Sequence, residues 1–471
     1  MTDTRKKESG ISARALLLLI SAPTLALTVL YCIDTAANPP AFRYSLYTGA
    51  LALLLFILLG MRFIPVWADA WGGRSYVIKV PEGARSGRWD KLHPWIGILL
   101  TQLVFRLLIF VLAYALYIRE YGYNGGILDL PEIWNPVSFD GRHYLNIAEH
   151  WYASSGSDRY LLVFLPFYPI LIRWLQPLTG NWLTSGLLVS NSMLLLSGIV
   201  LYELVLLDHS RKTARRAVRY LQILPAAILF SAPLSDSTFL FFSLLCVYAA
   251  RRRLYPLAGI AGGFASFTRI PGITLLAPVC FELISDILSD RRAKAERQTA
   301  RSIRAGDIFS LLLIPAGLGA YLVINKEVSG DWFRFLTYQS ENWQQAPGWF
   351  FRTTATQTDS LLIAIREGDT ASIWGLWIPN LCSVLASLVI MILAVRRIRP
   401  SYTAWFIGCF LVTMGTTWLL SAPRYLAAMF PLPIALSLLS EKKRIALPLT
   451  LVCLGGLVLY MLCFIRHWYV Y

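Results

Sequence analysis

The sequence predicts an all-α polytopic membrane protein, and three observations point there. Of its 471 residues, 56% are hydrophobic and only 15% are charged, where a soluble domain carries about 25% charged residues. The mean hydropathy is +0.55. Apolar runs of the roughly 17–25 residues needed to cross a bilayer recur along nearly the whole chain. The net charge of +16 could signal nucleic acid, but basic cytoplasmic loops account for it more simply in such a protein. No nucleic-acid partner is therefore expected.

Taken in order, the first apolar run covers about 13–33 and follows Arg5, Lys6 and Lys7. It has no clear small-residue cleavage site, so it reads as a retained span. Those three cations place the N-terminus inside. A second run, about 44–61, returns the chain. Residues 62–91 carry six basic residues and should be cytoplasmic. A third run, about 94–118, exits again, so the stretch beginning "SFDGRHYLNIAEHWY" at Ser138 lies outside. Residues 161–175, interrupted by Pro166 and Pro169, predict an interfacial or re-entrant helix, and 184–207 the next full span.

The basic clusters at 211–219, 251–253, 291–304, 396–399 and 442–444 then all fall inside. Two short spans must fit between Arg219 and Arg251 and two more between Arg253 and Arg291. At fewer than ~20 residues each, these predict broken or partly buried helices. The total is about 11–13 spans, with the C-terminus outside. Residues 1–93 are expected to form the N-terminal spans and basic loop, 94–440 the transmembrane core, and 441–471 the last span and tail. Within the core, 119–183 and 326–370 are the two large outer loops.

This topology gathers the polar landmarks on one face. "SAPLSDS" (231–237), "SFTRIPG" (266–272), the loop from Asn325 to Thr370 and "SAPRY" (421–425) are all outside. That face collects Asp140, Arg142, His143, Asp236, Arg269, Asp331, Arg334, Gln339 and Arg424. Charges at membrane depth are costly unless paired or functional, and positive-inside bias disfavours arginines there. An outward-facing polar cavity is the economical explanation.

From Asp140 the pattern suits an interfacial helix, with Tyr144, Ile147, Ala148 and Trp151 forming an apolar stripe at i, i+3, i+4 and i+7. Asp140 stands at the helix start. Its bland role is an N-cap, worth about 1 kcal/mol. Its functional role is a general base at the mouth of the cavity, where a fixed position suits proton removal. The five histidines and seven cysteines show no ligand spacing, and no metal site is expected.

The stretch "FDGRHYLNIAEHWY" resembles the WDxxxYLxIAxxGY signature of PIG-V-like mannosyltransferases, members of the GT-C class of integral membrane glycosyltransferases. "VFLPFYPILIRWL" (163–175) is similar to their FFPLYPLL stretch, and "SAPLSDSTFLFFSLL" to their SAPYSESLF segment, with Asp236 where Glu is usual. "GGFASFTRIPGITLL" resembles LASxTRxxG, "SGDWFRFLTYQSENW" resembles GDPLAFLxAQxxW, and "SAPRYLAAMFPLP" resembles SxxRYxxxxFP. The six segments run in order from about Asp140 to Pro433. Phe139 departs from the signature's Trp, and Trp151 from its Gly.

The resemblance implies a GT-C-like bundle that transfers a sugar, mannose by family, from a polyprenyl-phosphate donor to a lipid-linked or glycan acceptor. Transfer would occur with inversion on the non-cytoplasmic face: the outer face of a bacterial plasma membrane, or the lumenal face of the endoplasmic reticulum in a eukaryote. No cofactor is implied. Carried over by motif, Asp140 is the catalytic base. Arg269 and Arg424 are candidates to receive the phosphate, or else to pair with Asp236. Arg142, His143, Tyr144, Asp236, Asp331, Gln339 and Tyr425 complete the substrate-binding candidates. Asp236 could instead cap the next span. Trp332, Trp343 and Trp349 could stack on sugar rings, although Trp also collects at membrane interfaces.

A transporter or lipid flippase is the alternative from another class. It predicts polar residues near mid-span and pseudo-symmetric halves, whereas the charges here sit at span ends and no repeat is evident. A non-enzymatic subunit of a membrane complex is a third reading.

Overall fold

The structure, a computed structural model, describes residues 13–71, 94–122, 125–126, 133–134, 139–295 and 303–470. The basic N-terminus and most of the 62–91 loop lie outside the described residues. The chain is a multi-pass membrane protein, and the described residues are almost entirely helical. Its helices are α1 (Ala13–Ala37), α2 (Arg43–Trp71), α3 (Pro94–Tyr121), α4 (Gly141–His150), α5 (Phe167–Thr179), α6 (Trp182–Leu206), α7 (Arg211–Ile223), α8 (Asp236–Arg251), α9 (Tyr255–Thr268) and α10 (Leu276–Ala295). They continue as α11 (Ala305–Phe309), α12 (Leu313–Ser329), α13 (Arg334–Trp343), α14 (Phe350–Glu367), α15 (Thr370–Ser372), α16 (Ile378–Ala394), α17 (Pro400–Met414), α18 (Ala422–Ala427), α19 (Pro431–Leu439) and α20 (Lys443–Ile465).

Eight of these helical stretches are long and apolar enough to cross a membrane, or up to ten if two bent pairs each make a span. This is fewer than the 11–13 expected. The difference lies in the short helices expected where the basic clusters crowd together. α9 and α17, of 14 and 15 residues, are shorter than the ~20 residues of a full-length crossing and fall outside that number. α8 is bent by 101° from the 3₁₀ turn Pro225–Ser231. The expected break at Pro166 is also present: the 3₁₀ turn Ser157–Val163 meets α5 at 109°.

Two boundaries move. α2 runs on to Trp71, so Arg62 is a helix residue rather than a loop residue, and it donates from Nη1 to the Ile392 carbonyl at 3.1 Å. Residues 326–370, expected as the second outer segment, are largely helical: the end of α12, α13 and the 18-residue α14. α14 packs on α2, and its Asp359 accepts from the Ala41 and Phe42 N–H groups at 2.9 and 3.0 Å, supplying acceptors at the start of α2 from another helix.

Backbones approach most closely where side chains vanish. A Cβ on Gly317 of α12 would lie 2.0 Å from the Gly263 carbonyl oxygen on α9, the small-residue contact by which membrane helices pack. That contact fixes α9, whose last turn carries Arg269.

The basic turns do meet one another. Arg251, at the end of α8, pairs with Asp208 at 2.6 Å. Arg399 makes a two-pronged pair with Glu282, both contacts at 2.7 Å, and Glu282 also accepts from Ser401 at 2.5 Å. Arg216 and Arg397 both reach Glu441. Asp236 begins α8 and Arg251 ends it, so this cluster lies roughly 23 Å from Asp236 by helical rise.

The sequence reading missed Arg106. It sits mid-way along α3, 4% exposed. Its Nη1 donates to the Ala227 carbonyl at 2.9 Å and to Ser231 Oγ at 3.2 Å, and its Nη2 to the Gln222 carbonyl at 3.2 Å. The signal was one arginine inside an apolar run. It holds the 3₁₀ turn Pro225–Ser231 that precedes Asp236. Arg106→Met should strand those acceptors and cost about 3 kcal/mol, read as a lower midpoint in thermal unfolding of the detergent-solubilised protein; an unchanged midpoint would show the turn holds without it.

Candidate active site

Asp140 is the residue before α4, yet its side chain makes no capping hydrogen bond. The carboxylate instead accepts from Arg424 Nη1 at 2.6 Å. Arg424 Nε donates to Asp236 Oδ2 at 2.7 Å. The other oxygen of Asp236 pairs with Arg269 Nη1. Four charges from four separated segments thus form a line, Asp140–Arg424–Asp236–Arg269. Asp236 is the first residue of α8, but both its oxygens go to arginines and neither caps the helix. Arg269 follows α9, and Arg424 lies in the short α18.

The burial of the four is graded. The side chains of Asp236 and Arg424 are 1% and 3% exposed, those of Arg269 and Asp140 14% and 23%. The interior members are the ones with two partners, as removal of a charge from water demands. Tyr425 lies beneath both guanidinium groups, 4.7 Å from Arg269 and 5.7 Å from Arg424. Arginine over an aromatic face is favourable and keeps the planar fork oriented.

The turn carrying Asp140 is fixed by contact. A Cβ on Gly141 would meet Pro233 Cγ at 2.8 Å. Tyr144, one turn on, bonds Ser235 Oγ through its hydroxyl at 2.8 Å. Burial pushes the Tyr144 phenol up to about 12. Both contacts tie the start of α4 to the segment before Asp236.

A cavity of about 860 Å³ opens onto this line. Asp140, Arg269, Arg424 and Tyr425 form one part of its wall. His143, Tyr144, Phe164 and Trp343 form an aromatic part, with the His143 ring stacked on Phe164 at 5.1 Å and Phe164 edge-on to Trp343 at 5.7 Å. Burial lowers the pKa of His143, against the pull of Asp140 and Asp158, so its ring is neutral near pH 7. Gln339 and Gln345 bond each other at the rim, and Gln345 donates to the Trp418 carbonyl at 2.5 Å. Leu336, Leu411, Val412 and Ile270 give the mouth an apolar lining.

Of the expected site residues, Asp140, His143, Tyr144, Arg269, Gln339, Arg424 and Tyr425 line this cavity, and Asp236 lies behind the two arginines. Two do not join them. Arg142, unlike its neighbour His143, is exposed and does not line the cavity. Asp331 is spent locally, accepting from the Phe333 N–H at 3.0 Å and lying 3.9 Å from Arg334. Trp332 and Trp349 are exposed and do not line the cavity, whereas Trp343 does. Phe164 and Gln345 were not singled out from sequence. Phe164 lay inside a quoted motif; nothing in the sequence marked Gln345.

Trp151 bears on the motif match. It ends α4 with φ 67° and ψ −165°, a backbone shape that costs a non-glycine residue of order 1–3 kcal/mol. The signature WDxxxYLxIAxxGY has glycine at this position.

No family model matches the sequence, and no curated protein matches it. Among solved structures, the crystal structure of ArnT from Cupriavidus metallidurans bound to undecaprenyl phosphate aligns with a TM-score of 0.38 and 14% identity, over 78% of this chain and 76% of that one. The archaeal oligosaccharyltransferase AglB from Archaeoglobus fulgidus, in complex with an inhibitory peptide and a dolichol-phosphate, aligns with a TM-score of 0.39 and 12% identity, over 82% of this chain and 56% of that one. The Archaeoglobus fulgidus oligosaccharyltransferase complex with Zn and sulfate gives 0.36 and 15%, over 77% and 53%. The chain spans about half the length of these two. Such distant likenesses assign no residue of the site.

Gly141→Ala should drive a methyl into Pro233 and cost about 1–3 kcal/mol. The check is thermal unfolding beside Gly97→Ala, which meets nothing within 4 Å; equal midpoints for the two variants would show that the Asp140 turn is not held by this contact.

Proposed function

We propose that the chain is an integral membrane glycosyltransferase of the GT-C class. It would transfer a sugar from a polyprenyl-phosphate donor to a lipid-linked or glycan acceptor, with inversion, on the non-cytoplasmic face. The motif resemblance favours mannose. The observation that carries the reading is a partly exposed carboxylate, Asp140, set on a cavity wall beside two guanidinium groups.

The chemistry follows from that placement. The acceptor hydroxyl oxygen attacks C1 of the donor sugar while Asp140 takes its proton. The C1–O bond to the phosphate breaks, and its electron pair leaves with the lipid phosphate. Arg424 and Arg269 supply forked donors for the charge that builds there. The neutral His143 ring and Trp343 offer surfaces for a sugar, and Gln339 and Gln345 offer amides at the rim. The apolar mouth suits the start of a prenyl chain. Asp236 acts through the arginines, as a positioning residue.

The transporter reading loses ground on one point. Arg106 is the mid-helix charge such a protein would place on its pathway, but its donors are turned to backbone carbonyls and Ser231, and it does not line the cavity.

Transfer from radiolabelled polyprenyl-phosphate-mannose into acceptor lipids of native membranes tests the proposal. Asp140→Asn should reduce transfer by about 10²–10⁴-fold, the usual contribution of a general base. Equal transfer by the variant and the wild type would remove Asp140 from this role.

A further inference from the structure

The resting site holds its base and its phosphate receptor together. Asp140 accepts from Arg424 Nη1 at 2.6 Å, and among the described residues that is the hydrogen bond its carboxylate makes. Arg424 is far less free. Its side chain is 3% exposed, its Nε is held by Asp236, and the ring of Tyr425 lies below it. Of the pair, Asp140 is the partner that water and ligand can reach.

We infer that the Asp140–Arg424 ion pair is a latch, which a lipid-linked phosphate must displace from Arg424 before Asp140 is free to act. This rests on the proposed function and concerns the regulation of the same site. A carboxylate oxygen that already accepts from a guanidinium is not presented to an acceptor hydroxyl. A phosphate oxygen satisfies the same N–H donors and is at least as good a partner. Asp236 keeps Arg424 in place during the exchange, since its contact is through Nε, on a different edge of the guanidinium. Arg269 stands on the far oxygen of Asp236 and holds that carboxylate in turn. The base is therefore released when a phosphate group occupies the cavity, and an empty enzyme does not activate stray hydroxyls or water.

The latch has a consequence that runs against intuition for a catalytic residue. Asp140 and the ligand compete for one donor, so removing the carboxylate should strengthen ligand binding as it destroys transfer. The test titrates undecaprenyl phosphate into the full-length protein in lipid nanodiscs, followed by tryptophan fluorescence, with undecaprenol as the control lacking phosphate. Asp140→Asn and Asp140→Ala should both bind the phosphate lipid about tenfold more tightly than wild type, since an exposed charge-assisted contact is worth on the order of 1.4 kcal/mol. Asp140→Glu, which restores a competing carboxylate, should return affinity toward the wild-type value. All four proteins should bind undecaprenol alike. Wild-type binding with equal or weaker affinity in both the Asn and Ala variants would overturn the latch and leave the proposed function standing. Failure of every protein to prefer the phosphate lipid over undecaprenol would overturn both.

Discussion

A single guanidinium organises this protein's polar end. Arg424 is buried, and it can be so only because carboxylates meet it on two edges. An unpaired charge in such surroundings costs several kcal/mol. Burial therefore forces Asp140 and Asp236, from segments that are far apart in the chain, to converge on it. Asp236 is then too buried to hold one cation while keeping a free oxygen, and Arg269 fills the second position. Two anions and two cations sum to zero, which is the condition for leaving such a group beside a membrane. The rest of the architecture delivers these four side chains: the Gly141–Pro233 contact for Asp140, the Arg106-held turn before Asp236, and the glycine contact of α9 with α12 for Arg269.

α8 joins this cluster to a second one. At its far end Arg251 meets Asp208, beside the Arg399–Glu282 pair. The two clusters differ in what they face. The far cluster is closed on itself, with each carboxylate matched by arginine, serine or tyrosine donors. The near cluster ends in a carboxylate that opens on a cavity. A closed network stabilises; an open one has a valence left for a ligand. This asymmetry, rather than the number of charges, distinguishes the site from the scaffold.

Much of this was legible because membranes make polarity informative. Charges at the ends of apolar runs, together with alternation of the basic turns, were enough to bring Asp140, Asp236, Arg269 and Arg424 to one end before any contact was known. Pairing was not legible, since nothing local in "SFDGRH" or "SAPRY" says which carboxylate meets which edge of Arg424. Direction was not legible either. Arg142 and His143 are neighbours, but the ~100° step between successive helical residues sends one to the cavity and the other away from it. Asp331 looked like its fellows until the turn at Phe333 used its oxygen. The span count differs because a short helix such as α9, which returns the chain from Arg251 to Arg269 with Leu257, Ile260 and Phe264 exposed, has the hydropathy of a crossing without its usual length.

The line of charges also bears on how the proposed reaction would be stabilised. As the acceptor's proton reaches Asp140, that carboxylate loses its charge; as the C1–O bond breaks, the departing phosphate gains one. Arg424 touches Asp140 directly and is a candidate to face the phosphate. Its surroundings would therefore carry nearly the same negative charge before and after, with the phosphate at the donor that Asp140 has given up. Asp236 and Arg269 need not move, and Tyr425 holds the plane of both forks. A fixed dipole that serves two anions in succession avoids the reorganisation that water would undergo for the same shift, and that saving is the main source of electrostatic catalysis. In the latch we infer, the buried half of the network keeps its contacts while the exposed half exchanges partners.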